Sequence, residues 1–208
     1  MAFPKGPQSG ARAGIRWRWP LLRRPTPARA SDDDLLVRIR ERALSSRTAQ
    51  GVPESLAFEP ASAELIEEAE KKLNFALPPL LKRVLLEIGN GGFGPGRGIL
   101  GVRGGATDEH GSSLVDLYDG LSATNPEEPR WRWPEQLVPI CIWGDATYSC
   151  VDCSRSGGHV VTYDANGYRP GADLAHFLVP QDLTLDAWLC AWAEGEGEDL
   201  WNRMFPLD

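Results

Sequence analysis

The chain has 208 residues, 42% hydrophobic and 25% charged, enough apolar surface to order itself, which excludes a disordered or fibrous protein and suits one ordinary domain. The net charge of −7 hides an asymmetry: residues 1 to 30 hold seven basic residues and no acid, which leaves 15 basic and 29 acidic residues over 31 to 208, a net −14. A field of that sign disfavours nucleic acid and steers basic partners toward the protein.

Residues 1 to 30 carry Pro4, Pro7, Pro20, Pro25 and Pro27 among Arg, Gly and Ala. They show neither helical nor strand periodicity and read as a disordered basic tail. Arg16 to Trp19 alternates Arg with Trp, a pairing that suits phosphate and base stacking or a membrane surface, but a solvated tail accounts for the same composition. No run of about 18 apolar residues occurs, and Arg and Pro interrupt the start where a secretory signal needs a continuous apolar stretch. A cytoplasmic protein without membrane contact is expected.

Ser31 is placed to cap a first helix through about Ala43, with Leu35, Leu36, Ile39 and Arg42 or Ala43 on one side and three Asp residues on its positive end. Pro60 and Ser62 open a second, with Leu65, Ile66, Ala69 and Leu73 inward, Glu67 to Lys71 and Glu68 to Lys72 as i, i+4 pairs, and Asn74 closing it. Pro78 opens a third, whose Leu81, Val84, Leu85 and Ile88 form a core stripe and whose left-handed cap falls on Gly89. A glycine-dense corner then leads to Ile99–Val102, read as the first strand. Ser113 to Leu121 reads as a short helix with Leu114, Leu117, Tyr118 and Leu121 inward. LVPICIWG, TYSCVDCS and HVVTYD follow as three β-type runs whose turn spacing favours an antiparallel meander. Thr184 caps a closing helix with Leu185, Trp188, Leu189 and Trp192 at i, i+3, i+4 and i+7.

The pieces amount to a single α+β domain. Its sheet is mostly antiparallel but mixed, built from runs near 99 to 102, 137 to 143, 148 to 153 and 159 to 164. Helices near 62 to 73, 79 to 88 and 184 to 193 cover one face. The chain divides into the tail at 1 to 30, a helix and linker at 31 to 58, and the domain proper at 59 to 208.

Three patterns resemble chemistry. GNGGFG at 89 to 94 satisfies G-x-G-x-x-G, but a dinucleotide turn must follow a strand and open a helix, and this one does the reverse. Cys150 and Cys153 form a CxxC with Cys141 upstream and His159 downstream, a possible zinc set. Their segment alternates like a strand, where residues three apart point to opposite faces, so buried free thiols are expected instead of a metal or a disulfide. His110, His159 and His176 each lie near Ser or Asp, yet no nucleophile-elbow sequence occurs; a hydrolase using His159 or His176 is the alternative of another class. Of the eight tryptophans, Trp188 and Trp192 have helical core spacing and Trp143 ends a strand. Trp131 and Trp133 show no core role.

The helix pair ELIEEAEKKLNFALPPLLKRVLLEIGNGGFG, the run GILGV, the segment ICIWGDATYSCVDCS, the strand HVVTYD and the closing LDAWLCAW together resemble the SUKH superfamily of Smi/Knr-like domains over roughly residues 60 to 205. The resemblance implies one α+β domain that binds proteins without cofactor, metal or turnover. Bacterial members commonly act as immunity proteins against secreted toxins, often nucleases; fungal members are regulatory scaffolds of cell-wall synthesis. Composition independently suggests a binder of basic proteins, and the expected partner is a basic toxin domain. The candidate contact surface comprises Trp143, Asp145, Tyr148 and Asp152, an aromatic pair with acids around the GDATY turn, although Trp143 and Tyr148 equally suit core positions flanking an ordinary hairpin.

Overall fold

A computed structural model of the protein describes residues 31–45, 58–124, 128, 131–166, 168–195 and 200; the expected tail and most of the linker lie outside these residues. The first helix, α1 (Asp32–Ser45), begins where expected, the Asp34 N–H donating to Ser31 Oγ at 3.2 Å. Ser62 accepts from the Leu65 N–H to start α2 (Ala63–Leu73), and Asn74, at φ 63°, ends it. Pro78 precedes α3 (Pro79–Glu87). Its end differs from expectation. Ile88 closes it in a right-handed conformation at φ −108°, and Gly89 is absent from the residues at positive φ. Glycine at 89 is favoured for a different reason: a Cβ there would sit 3.0 Å from the Phe58 carbonyl oxygen, closer than side chains ordinarily approach.

The segment 90–106 folds as a compact corner around Asn90, which is 3% exposed. Asn90 Oδ1 accepts from the Val102 N–H at 2.9 Å, its backbone N–H donates to Glu59 O, and its own carbonyl accepts from Ala106. One residue, through its side chain and its own backbone, thus satisfies backbone that no helix or sheet would. Asn90→Ala orphans the buried Val102 N–H and is expected to lose about 1–3 kcal/mol, read as a lower urea midpoint with an unchanged m-value.

The run at 99 to 102 does not form a strand of the sheet. It contributes a single bridge, Ile99 to Cys141, supported by the Leu100 N–H donating to Ile140 O at 2.8 Å. After α4 (Leu114–Ser122), which opens on a capping box between Ser113 and Asp116, the sheet is an antiparallel meander, β1 (Leu137–Gly144), β2 (Thr147–Asp152), β3 (His159–Asp164) and β4 (Leu178–Thr184), in the order β1-β2-β3-β4. All its pairings are antiparallel. The fourth strand is one that Pro180 and Asp182 conceal. Proline is tolerated on an edge strand, and Asp182 at φ 52° departs from strand conformation.

Adjacent residues of β2 show how the sheet divides two cores, because successive side chains point to opposite faces. Val151 joins Val138, Ile140, Val160, Leu185, Trp188 and Leu189 in the main core under the helices. Cys150 joins Trp133, Leu137, Tyr163 and Leu174 in a second cluster. The sheet is therefore covered on both faces, where the sequence suggested one. The closing helix α5 (Leu185–Ala193) packs on α1, so Leu35, Leu36, Ile39 and Ala43 belong to the same core as the sheet. Polar contacts tie α1 to its neighbours: Arg38 meets Glu194 at the end of α5 at 2.7 Å, and Arg83 of α3 meets Asp33 at 2.7 Å.

Candidate functional site: an aromatic sheet face edged with carboxylates

The second face of the sheet is built from aromatic rings, and the loops at 131–136 and 164–177 supply most of what β2 and β3 do not. Tyr148 of β2 and Tyr163 of β3 are cross-strand partners, stacked with centroids 6.2 Å apart and planes 11° off parallel. Tyr163 meets Trp133 edge-on at 5.1 Å, Trp133 stacks on Trp131 at 6.3 Å, and Trp131 meets Tyr168 at 5.2 Å with planes at 90°. Phe177, in a short 3-10 helix (Leu174–Phe177), extends the array from Tyr168 at 5.4 Å. Edge and offset contacts of this kind suit the ring quadrupoles. Both indole N–H groups are held, Trp131 on Leu121 O at 2.6 Å and Trp133 on Leu137 O at 2.7 Å. The two tryptophans without a visible core role are thus the pillars of this cluster. The sequence signal that could have placed them is the aromatic spacing Trp131, Trp133 beside a strand bearing Tyr163, but nothing local says which face they cover.

Tyr148, Trp131, Tyr168 and Phe177 are each partly exposed, so the array reaches solvent. Carboxylates stand at its edges. Asp145 occupies the β1–β2 turn, exposed, with Asp145 and Ala146 at φ 45° and 54°, the two positive values a tight two-residue hairpin demands. The Asn166 side-chain amide donates to Asp145 O at 2.7 Å and to Asp164 Oδ1 at 2.9 Å, locking that turn to the loop that carries Tyr168. Burial raises the Tyr148 phenol above its ordinary range, with the nearby Asp108 and Glu109 carboxylates adding to it.

The four candidate contact residues do not form one patch. Trp143 packs on the main core, its indole donating to Ser149 Oγ at 2.8 Å. Tyr148 belongs to the aromatic face, and Asp145 lies at the hairpin tip beside it. Asp152 sits at the opposite end of β2, where it pairs with Leu137 and His159. Its charge is engaged locally, by the Ser154 N–H at 3.0 Å and by Arg155 at 3.1 Å.

The other chemical candidates separate in space. Cys150 and Cys153 pack against different cores. No group of three or more His, Cys, Asp or Glu among the described residues could hold a metal ion. His159 starts β3 and His176 is exposed in the 3-10 helix. Among the described residues, neither imidazole hydrogen-bonds a serine or aspartate. A hollow of ≈ 260 Å³ between α2 and the 103–113 loop contains Lys72 and Arg103, but both are already paired with Glu68, at 3.4 and 2.7 Å.

The buried thiols and phenols make a pH prediction. Burial pushes Cys141 and Cys150 upward, and pushes Cys153 and Tyr163 up to about 12 from ordinary values of 9.0 and 10.0. The folded state holds these protons more tightly than the unfolded chain. Their contribution to stability is therefore fully present below about pH 9 and is lost as pH rises from there toward about 12. Urea midpoints measured on either side of about pH 9 are expected to show the decline. A thiol reagent at mildly alkaline pH is expected to find Cys141 and Cys150 inert in the native protein and all four cysteines reactive in denaturant. Rapid native labelling of Cys150 would contradict this packing.

A meander sheet with helices on one face and aromatic rings edged by carboxylates on the other defines an α+β domain. No helix among the described residues is long and apolar enough to cross a membrane. The model of the SMI1 / KNR4 family (SUKH-1) matches residues 60–179, more than half of the chain, and the chain belongs to that family. Membership supports a protein-binding domain of the immunity or Smi/Knr type. No curated protein matches the chain. The matched span ends inside β4, so α1 and α5 both lie outside it, although they close the main core together.

Proposed function

We propose that this protein is an immunity protein that acts in the cytoplasm by binding and neutralising a basic toxin domain, without catalysis or cofactor. The observation that carries the reading is the partly exposed aromatic array with carboxylates at its edge, on a chain whose residues 31 to 208 carry a net −14. Rigid aromatic rings supply contact area at small entropic cost, and the surrounding acids give steering and orientation. Tyr148 and Asp145 belong to this surface. Trp143 supports it from the core side, and Asp152, paired with Arg155, contributes to the general field.

The test is co-expression with the product of the adjacent gene, following survival and complex formation at low salt. A toxic neighbour that is neutralised and captured supports the reading. A harmless neighbour, or no complex at low salt, replaces it with a Smi/Knr-type regulatory scaffold. In a complex, Asp145→Lys is expected to slow association several-fold while changing dissociation little, with an association rate that falls steeply with salt. Asp152→Lys should have a smaller effect, because that charge is already paired.

A further inference from the structure

Beside the Trp131–Tyr168 pair of the aromatic array lies an open hollow of ≈ 420 Å³ lined by Gly120, Ala123, Thr124, Glu128, Trp131 and Tyr168. We infer that this hollow is an arginine-binding site, taking one guanidinium from the basic protein partner; it rests on the reading of the chain as a binder of such a partner. Three features converge. The Trp131 and Tyr168 rings meet at 90° and 5.2 Å, forming two walls of a corner, and an aromatic face attracts a cation through its quadrupole, tryptophan most strongly. Glu128 stands at the same hollow with a fixed carboxylate: Oε2 accepts from Tyr168 OH at 3.1 Å and from the Gly171 N–H at 2.9 Å. Both bonds fall on that one oxygen, so Oε1 accepts from none of the described residues.

The corner is also held by packing and hydrogen bonds. Trp131 is backed by Trp133 and pinned through its indole N–H to Leu121 O at 2.6 Å. Its backbone N–H donates to Glu128 O at 2.9 Å, which holds the acid and the indole in register. Pre-organised walls lose little entropy when a ligand enters. Among the described residues, two arginines lie close by, and neither lines the hollow. Arg132 donates to Trp131 O and Arg169 to Tyr168 O, each at 2.8 Å. Arginine fits better than lysine because a planar guanidinium can stack on one ring while its edge meets a carboxylate, whereas an ammonium is a compact, strongly hydrated point charge.

The test uses the full chain and small probes, so it needs no partner. N-acetyl-arginine amide is titrated while the indole N–H resonances are followed by NMR, beside the lysine and citrulline analogues; citrulline keeps the shape and removes the charge. Binding in the region of about 1 mM is expected for a single side chain, with Trp131 shifting most and citrulline at least about tenfold weaker. Glu128→Gln keeps an acceptor for Tyr168 and Gly171 and should weaken arginine about tenfold while the other indole resonances stay in place. Equal binding of arginine and citrulline, shifts that map elsewhere, or no binding by about 10 mM would overturn the site. Tighter binding of tetramethylammonium than of arginine would overturn the occupant. The two readings fail separately. A neutralising complex indifferent to Glu128→Gln removes the arginine site and leaves the immunity reading, whereas arginine binding without any neutralised partner does the opposite.

Discussion

Gly91→Ala is expected to destabilise the protein by about 3 kcal/mol or more, a large fraction of the net stability of an ordinary domain. Two effects act together. Gly91 sits at φ +80°, where a side chain strains the backbone by about 1–2 kcal/mol. Its missing Cβ would also lie 2.4 Å from Ile99 O and 2.7 Å from Gly101 N. Those neighbours are backbone atoms of a corner fixed by Asn90, so they cannot rotate aside as a side-chain tip would. Gly104 is the control, because it has nearly the same φ, +81°, with nothing within 4 Å of the position a Cβ would take. Gly104→Ala should show the backbone strain alone, about 1 kcal/mol. Urea denaturation of the two variants decides the matter, and equal losses would mean that the close approach to Ile99 does not constrain the corner.

Trp188→Ala is expected to lose about 3–5 kcal/mol, the range for emptying a large aromatic site in a core. Trp188 is 1% exposed and packs at the centre of the main core, where α5 lies over the sheet. Trp188→Phe should be far milder than the loss of ring volume suggests. The indole N–H is buried with no hydrogen-bond partner among the described residues, so removing it relieves a desolvated donor worth about 1–3 kcal/mol. Thermal unfolding of the three proteins, with near-ultraviolet circular dichroism as a check on native packing, gives the ranking wild type, Phe, Ala. A Phe variant as damaged as the Ala variant would show that the indole N–H does find a partner.

The elements with periodic or capped patterns were legible without a structure. Ser62, Asn74 and Pro78 bound two helices because capping depends on a residue's own side chain and torsions. The β1–β2–β3 meander could be read because alternation and short turns are local properties. The alternation of CVDC likewise pointed to divergent thiols, and Cys150 and Cys153 do face different cores. The failures are equally physical. Ile99–Val102 has strand composition but pairs at a single bridge, since the corner around Asn90 takes up most of its hydrogen bonds. Leu178–Thr184 has breakers at Pro180 and Asp182 and is a strand only because β3 offers it an edge. Gly89 suggested torsional freedom, whereas the reason for it is the approach of Phe58 from a distant segment.

The candidate site divides the same way. Composition alone determined the acidic character of residues 31 to 208, because charge is a sum over residues and needs no geometry. The linear proximity of Trp143, Asp145, Tyr148 and Asp152 suggested one patch, but pleating and strand length send them to a core, a hairpin tip, a sheet face and the far end of β2. Trp131, Trp133, Tyr163 and Tyr168 are dispersed over the sequence and become one surface only when the sheet gives them a common face. Which acids stand beside which rings is a non-local outcome of chain packing, so only the tertiary structure could decide that Glu128 shares a hollow with Trp131 and Tyr168.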